Sequence, residues 1–224
     1  MPITPEAREF SRRLLEHATD DLEAFAEAEI LSGVPFIFSS DDDSARFRRY
    51  VAMSLETAEA ETEVLIIGSA RTGFSLDPDD YFVPFRPASD IDVVVVHTAL
   101  FDDAWRKMLE WDYLTLRNRS EHERRWLRAR QGNVWSGWLS PPGWDLRERD
   151  GIELSFPTTL KPLRDFSFRW FSTFRSMSRY RDHNEIPRHP VTARLYRTRE
   201  HAAMYQAWGL RVLRSKLAAE PTTE

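Results

Sequence analysis

The sequence predicts an α/β (α+β) protein, a small mixed β-sheet with flanking helices, and three observations carry that reading. Two short apolar runs, Val64-Leu65-Ile66-Ile67 and Val93-Val94-Val95-Val96, are bounded by polar and turn-forming residues and have the length of buried strands. Long stretches with apolar residues at helical spacing precede, separate and follow them. At 224 residues and 42% hydrophobic, the chain can bury a real core, enough for one ordinary domain or two small ones.

In order along the chain, residues 5–31 place Phe10, Leu14, Leu15, Leu22, Phe25, Ile30 and Leu31 at roughly helical spacing, which predicts one or two amphipathic helices ending near Gly33-Val34-Pro35. Asp41-Asp42-Asp43 offer an N-cap for a further helix through Phe47, Tyr50, Val51, Met53 and Leu55 to about Ala60. The strand Val64–Ile67 then ends at Gly68-Ser69. Residues 70–89, with three prolines, Gly73 and no sustained period, read as an ordered loop. Asp90-Ile91-Asp92-Val93-Val94-Val95-Val96 is β-branched enough for a central strand with two acids at its entrance. A helix is expected over 101–131 and a Gly-, Pro- and Trp-rich folded loop over 132–150. A short strand follows at Gly151–Phe156. A helix over 162–182 carries the stripe Phe166, Trp170, Phe174 and Met177, and after a strand at Val191–Tyr196 a last helix covers 198–218. The expected organisation is N-terminal helices over 1–60 packing on a core at 61–160, a C-terminal helical part at 161–219 and a disordered tail at 220–224.

Composition excludes several classes of chemistry. The absence of cysteine removes disulfides, thiolate catalysis, Fe–S clusters and Cys-zinc sites together. No run approaches the ~20 apolar residues that span a bilayer, and the N-terminal residues lack the apolar core of a secretory signal, so a cytoplasmic protein with no membrane partner is expected. Walker A, GxGxxG, GxSxG and HExxH patterns are all missing. The net charge of -5 is unevenly shared: residues 1–100 hold 8 basic and 20 acidic side chains, residues 101–224 hold 23 and 16. Acidic site residues and the arginines able to meet an anion therefore belong to different parts of the chain.

The chemistry concentrates in IIGSARTGFSL and SDIDVVVV. Gly68 permits a tight turn at a strand end, and the Ser69 hydroxyl and N–H can meet a phosphate oxygen, with Arg71 and Ser75 as auxiliaries and Gly73 allowing a second close approach. Asp90 and Asp92 are two apart at a strand start, so period-2 geometry sets both carboxylates on one sheet face, where like charges favour a shared divalent cation. Glycosyltransferases and haloacid-type phosphatases also use Asp-x-Asp, but after an apolar strand, whereas here Val93–Val96 follows the acids.

Gly68-Ser69 together with Ser89-Asp90-Ile91-Asp92 resembles the nucleotidyltransferase superfamily of the polymerase-β type, over about residues 63–97. The resemblance implies a small mixed sheet of nucleotidyltransferase type with helices on one side, Mg²⁺ (or Mn²⁺) held by Asp90 and Asp92, and an NTP held at Gly68, Ser69, Arg71, Gly73 and Ser75. It also implies a third carboxylate on a later strand, for which Glu153 is the candidate and Asp145 and Asp150 are competitors. The gap from Gly68 to Asp90 is longer than the family's usual one, which places an insertion around Asp77–Pro87 over or beside the site. The implied activity is transfer of a nucleoside monophosphate from an NTP to a small molecule, a protein or RNA. Similar small proteins include antibiotic-modifying enzymes and bacterial toxin or defence components. The alternative on the same fold is a catalytically inactive nucleotide- or RNA-binding module that regulates a partner, and a homo-oligomer or a protein partner is open to either.

Two features have plainer explanations. The arginines at 164, 169, 175, 179 and 181, interleaved with aromatics, fit an RNA surface, but the aromatics fall on one helical stripe and read first as core with the arginines as solvated flank. His183 and His189, flanked by Arg181 and Arg188, offer contacts to a phosphate or acceptor, while scattered histidines mostly serve structure.

Overall fold

The computed structural model describes residues 3–115, 121–140, 161–178 and 189–219. Its helices are α1 (Pro5–Glu16), α2 (Leu22–Glu29), α3 (Asp41–Ser54), α4 (Ser69–Thr72), α5 (Thr98–Thr115), α6 (Glu121–Trp135), α7 (Lys161–Met177) and α8 (Arg199–Ala219). The strands are β1 (Glu63–Ile67), β2 (Ile91–Val96), β3 (Trp138–Leu139) and β4 (Val191–Tyr196). They form one mixed sheet in the order β1-β2-β4-β3, with β1 antiparallel to β2, β2 parallel to β4 and β3 antiparallel to β4. The α+β class read from the sequence is the class observed.

Alternation along the strands divides the core in two. Val64, Ile66, Val93, Val95 and Leu195 face α3, α5 and α7, where Phe47, Phe101, Trp111, Trp170 and Phe174 close over them. Ile67, Val94 and Tyr196 face the other way, onto α1, α2 and α8 through Phe10, Leu14, Phe25, Ala207 and Leu210. The sheet is therefore covered by helices on both faces, not on one as the family resemblance implied. The cause is visible in β1, where Val64 and Ile66 on one side and Leu65 and Ile67 on the other leave no face suited to water.

Element boundaries follow local chemistry. The α3 N-cap is Ser40, whose hydroxyl accepts from the Asp43 amide, and Asp41, Asp42 and Asp43 fill the first turn instead of capping it. The helix stops at Ser54, well short of Ala60, because Glu56 adopts φ 55 and turns the chain towards β1. Of the helix expected over 101–131, the described residues form α5, from Thr98 to Thr115, and α6, from Glu121 to Trp135. The supposed loop from 132 is helical through Trp135, and after Gly137, at φ 74, Trp138 and Leu139 pair with Tyr196 and Leu195. The α7 stripe Phe166, Trp170 and Phe174 is buried and Arg164 and Arg175 are exposed, so the stripe is core. At the far side of the β1 edge, Arg199 donates to Glu27, Glu63 and the Leu31 carbonyl and fastens α2 and β1 to the start of α8. Among the described residues no helix is long and apolar enough to cross a membrane. The strand expected at Gly151–Phe156, the acids Asp145, Asp150 and Glu153, the loop residues Arg181, His183 and Arg188, and the tail lie outside the described residues.

Candidate functional site

The Gly-Ser turn and the second aspartate meet at the end of β1. Register pairs Ile67 with Asp92, so the residue after Ile67 lies beside the Asp92 side chain. Gly68 has φ 63 and ψ -151, a conformation essentially restricted to glycine, and it starts α4 at Ser69. A Cβ on Gly68 would stand 3.2 Å from Asp92 Oδ2. The carboxylate thus occupies the space that a side chain would fill, directly over the turn. Ser69 follows at the first position of α4, half-buried, where helical amides have no carbonyl one turn back.

Asp90 stands one residue ahead of β2 and is exposed, as is Asp92. Two contacts from the segment before β4 set its backbone: Ile91 N donates to Pro190 O at 2.8 Å, and His189 Nδ1 lies 2.7 Å from the Ser89 carbonyl. A carbonyl only accepts, so Nδ1 carries the proton. His189 is buried and its ring packs on Phe85 with centroids 4.7 Å apart. It ties the segment before β4 to the backbone just ahead of Asp90.

Asp92 has a second neighbour that the sequence did not single out. In the parallel β2–β4 register Asp92 pairs with Thr192, whose hydroxyl donates to Asp92 Oδ1 at 2.8 Å. One carboxylate oxygen is thereby anchored on β4 and the other points over Gly68. The signal existed, since Val191–Tyr196 reads as a strand, but only the parallel register shows that Thr192 stands opposite Asp92.

Three of the proposed nucleotide contacts serve the turn itself. Arg71 donates to the carbonyls of Ile30, Ser32 and Val34, with 3.1 Å to Ile30 O and 2.6 Å to Val34 O, so its guanidinium clamps the 30–34 loop. Burial lowers its pKa. Gly73 is the left-handed C-cap of α4 at φ 85, and a Cβ there would come within 2.9 Å of the Phe36 ring; the glycine makes room for an aromatic side chain and not for a phosphate. Ser75 pairs through its backbone with Val83 and Phe82, and its hydroxyl accepts from the Asp77 amide. The long segment between Gly68 and Asp90 is accordingly a folded-back loop. Phe74 and Phe82 pin it into the core against Phe10, and Lys216 of α8 reaches Asp79 and Pro78 O at its tip.

Gly68, Ser69, Asp90, Asp92 and Thr192 thus lie at one edge of the β1–β2–β4 sheet. Asp90 and Asp92 offer hard carboxylate oxygens, the donor type that suits Mg²⁺ held by one or two carboxylates together with substrate phosphates. Among the described residues no group of three or more His, Cys, Asp or Glu side chains is gathered to hold a metal. Further along the same sheet face are Arg194 and the fully buried Tyr196. Burial is the main cause that pushes the Tyr196 phenol well up, and the Asp92 charge adds to it while Arg194 opposes.

Neither a family model, nor a curated protein, nor a solved structure matches this chain.

Proposed function

We propose that this protein is a metal-dependent nucleotidyltransferase. The observation that carries the reading is the convergence of Asp92 with the Gly68-Ser69 turn, from strands whose sequence spacing is 22 residues between Gly68 and Asp90. Asp90 and Asp92 would hold Mg²⁺ or Mn²⁺, and Ser69 would steady a phosphate oxygen of the bound NTP. Bound there, the cation offsets the triphosphate charge and the charge developing on the attacking and leaving oxygens. Thr192 anchors one oxygen of Asp92 while the other lies over Gly68, and His189 holds the backbone that presents Asp90, which limits the reorganisation needed when substrate arrives. An acceptor hydroxyl would then attack the α-phosphorus and give up its proton to a nearby carboxylate or to solvent, while the bond to the bridging oxygen breaks and pyrophosphate leaves with that electron pair. Glu153 remains the candidate for the third carboxylate.

A specific observation favours the second reading, an inactive module that binds nucleotide or RNA. The strand beside β2 carries Thr192 opposite Asp92, where a carboxylate would complete the set. Titration of Mn²⁺ in the presence of ATP, followed by electron paramagnetic resonance, separates the two. The transferase reading expects tight Mn²⁺ binding that falls at least about tenfold in Asp90→Asn, in Asp92→Asn and in Glu153→Gln. Mn²⁺ binding indifferent to all three substitutions contradicts it.

A further inference from the structure

We propose that Arg194 is the anion-binding residue of this site and that it grips the polyphosphate of the nucleotide. The inference rests on the nucleotidyltransferase reading for the identity of the ligand, but the anion site itself stands on the geometry of β4. Register pairs Asp92 with Thr192 and Val94 with Arg194, and period 2 puts Asp92, Thr192 and Arg194 on the same sheet face. Arg194 is one pleat beyond the residue that anchors Asp92, so the chain brings a fixed positive charge to the face that carries its aspartate.

Among the described residues the guanidinium is held by aromatic rings and a phenol and by no carboxylate. Its carbon lies 5.4 Å from the centroid of the Trp138 ring and 5.1 Å from that of Tyr205, and Nη1 donates to Tyr205 Oη at 3.0 Å. The two rings meet edge to face at 5.7 Å. Among the described residues no carboxylate forms an ion pair with it, whereas Arg197 and Arg199, on the same stretch of chain, each have one. Arg194 is half-buried, so part of its desolvation is already complete. On the same face the Tyr196 Oη is buried with no hydrogen bond of good geometry among the described residues, and it lies within electrostatic reach of both Arg194 and Asp92. A planar fork of donors, fixed by aromatic stacking and lacking a carboxylate, is the arrangement that binds phosphate with least entropy lost on binding. Stacking alone does not need the charge to be placed on the Asp92 face.

Inorganic tripolyphosphate, titrated calorimetrically at low salt with EDTA present, tests the grip without metal or turnover. The wild type is expected to bind it. Arg194→Gln weakens that binding at least about tenfold. Arg194→Lys restores part of it, and Tyr205→Phe, which frees the guanidinium but leaves its charge, weakens it about threefold. Asp92→Asn leaves it equal or tighter. Thermal melting accompanies each variant, and should Arg194→Gln not fold, Arg194→Lys and Tyr205→Phe carry the test. No binding by the wild type, or Arg194 variants that melt lower yet bind unchanged, overturns the proposal and makes Arg194 a packing residue. The two claims separate cleanly. Loss of binding in Arg194→Gln with nucleotide transfer indifferent to Asp92→Asn keeps the anion site and rejects the transferase; transfer that needs Asp92 but has an unchanged KM for NTP in Arg194→Gln does the reverse.

Discussion

Replacing Gly68 by alanine probes the junction on which the site depends. At φ 63 and ψ -151 the backbone is in a region that an L-residue occupies at a cost of about 1–3 kcal/mol. The new Cβ would stand 3.2 Å from Asp92 Oδ2, closer than ordinary contact, but the exposed carboxylate can give by a few tenths of an ångström. The backbone term therefore dominates stability, and the contact is felt as a displaced Asp92. For a chain of this size, about 2–4 °C of melting temperature corresponds to each kcal/mol, so Gly68→Ala should melt about 2–12 °C lower. Urea unfolding should show a lower midpoint with an unchanged slope. In an Asp92→Ala background the contact is absent, and the remaining loss is the backbone part. A Gly68→Ala protein that melts with the wild type would show that the turn does not need this conformation, and the argument placing Asp92 over it would fail.

Other substitutions separate structural from ligand roles. Arg71→Ala should destabilise by about 2–4 kcal/mol in chemical unfolding, since three loop carbonyls lose a charged donor, while tripolyphosphate affinity stays within twofold of the wild type; a large affinity loss at unchanged stability would return Arg71 to the phosphate site. His97 is buried at the start of α5 and its Nδ1 accepts from the Leu100 amide at 3.1 Å, so His97→Ala should cost about 1–2 kcal/mol and His97→Asn less, measured by the same method. Tyr196→Phe removes a buried hydroxyl that has no hydrogen bond and should be neutral or up to about 1 kcal/mol stabilising at neutral pH. The folded-state pKa of Tyr196 is raised, so its contribution is complete below the unfolded value of about 10 and is lost as pH rises beyond it. Unfolding midpoints between about pH 9 and 11 should fall less steeply in Tyr196→Phe than in the wild type.

The parts of the fold that the sequence made legible are those set by local rules. Apolar runs of four in β1 and β2, the helical stripes of α1 and α7 and the glycine-serine strand end needed only spacing and residue type. What stayed hidden depended on register and on long-range partners. Thr192 and Arg194 read as ordinary strand residues; only the parallel pairing of β4 with β2 shows Thr192 opposite Asp92 and Arg194 one pleat beyond it on the same face. Arg71 looked like a phosphate ligand because it follows the turn, yet its partners come from a loop some 40 positions earlier, with separations of 41, 37 and 39 residues. Gly73 was read as room for a ligand, whereas Phe36 fills that room. The aspartates at 41–43 offer a cap by residue type alone, whereas the hydroxyl of Ser40, one position earlier, is the group that meets the amide of Asp43.

The central claim is that Asp90 and Asp92 serve metal-dependent nucleotidyl transfer. Its most direct test is incubation of the purified chain with each α-labelled NTP, Mg²⁺ or Mn²⁺ and three acceptor sources in turn, namely small metabolites, total RNA and total protein. The account predicts label transferred to one acceptor class with pyrophosphate released, dependent on the divalent cation and lost by at least about a hundredfold in Asp90→Ala and Asp92→Ala variants that still fold. No transfer from any NTP, together with cation binding unchanged in both variants, would contradict it.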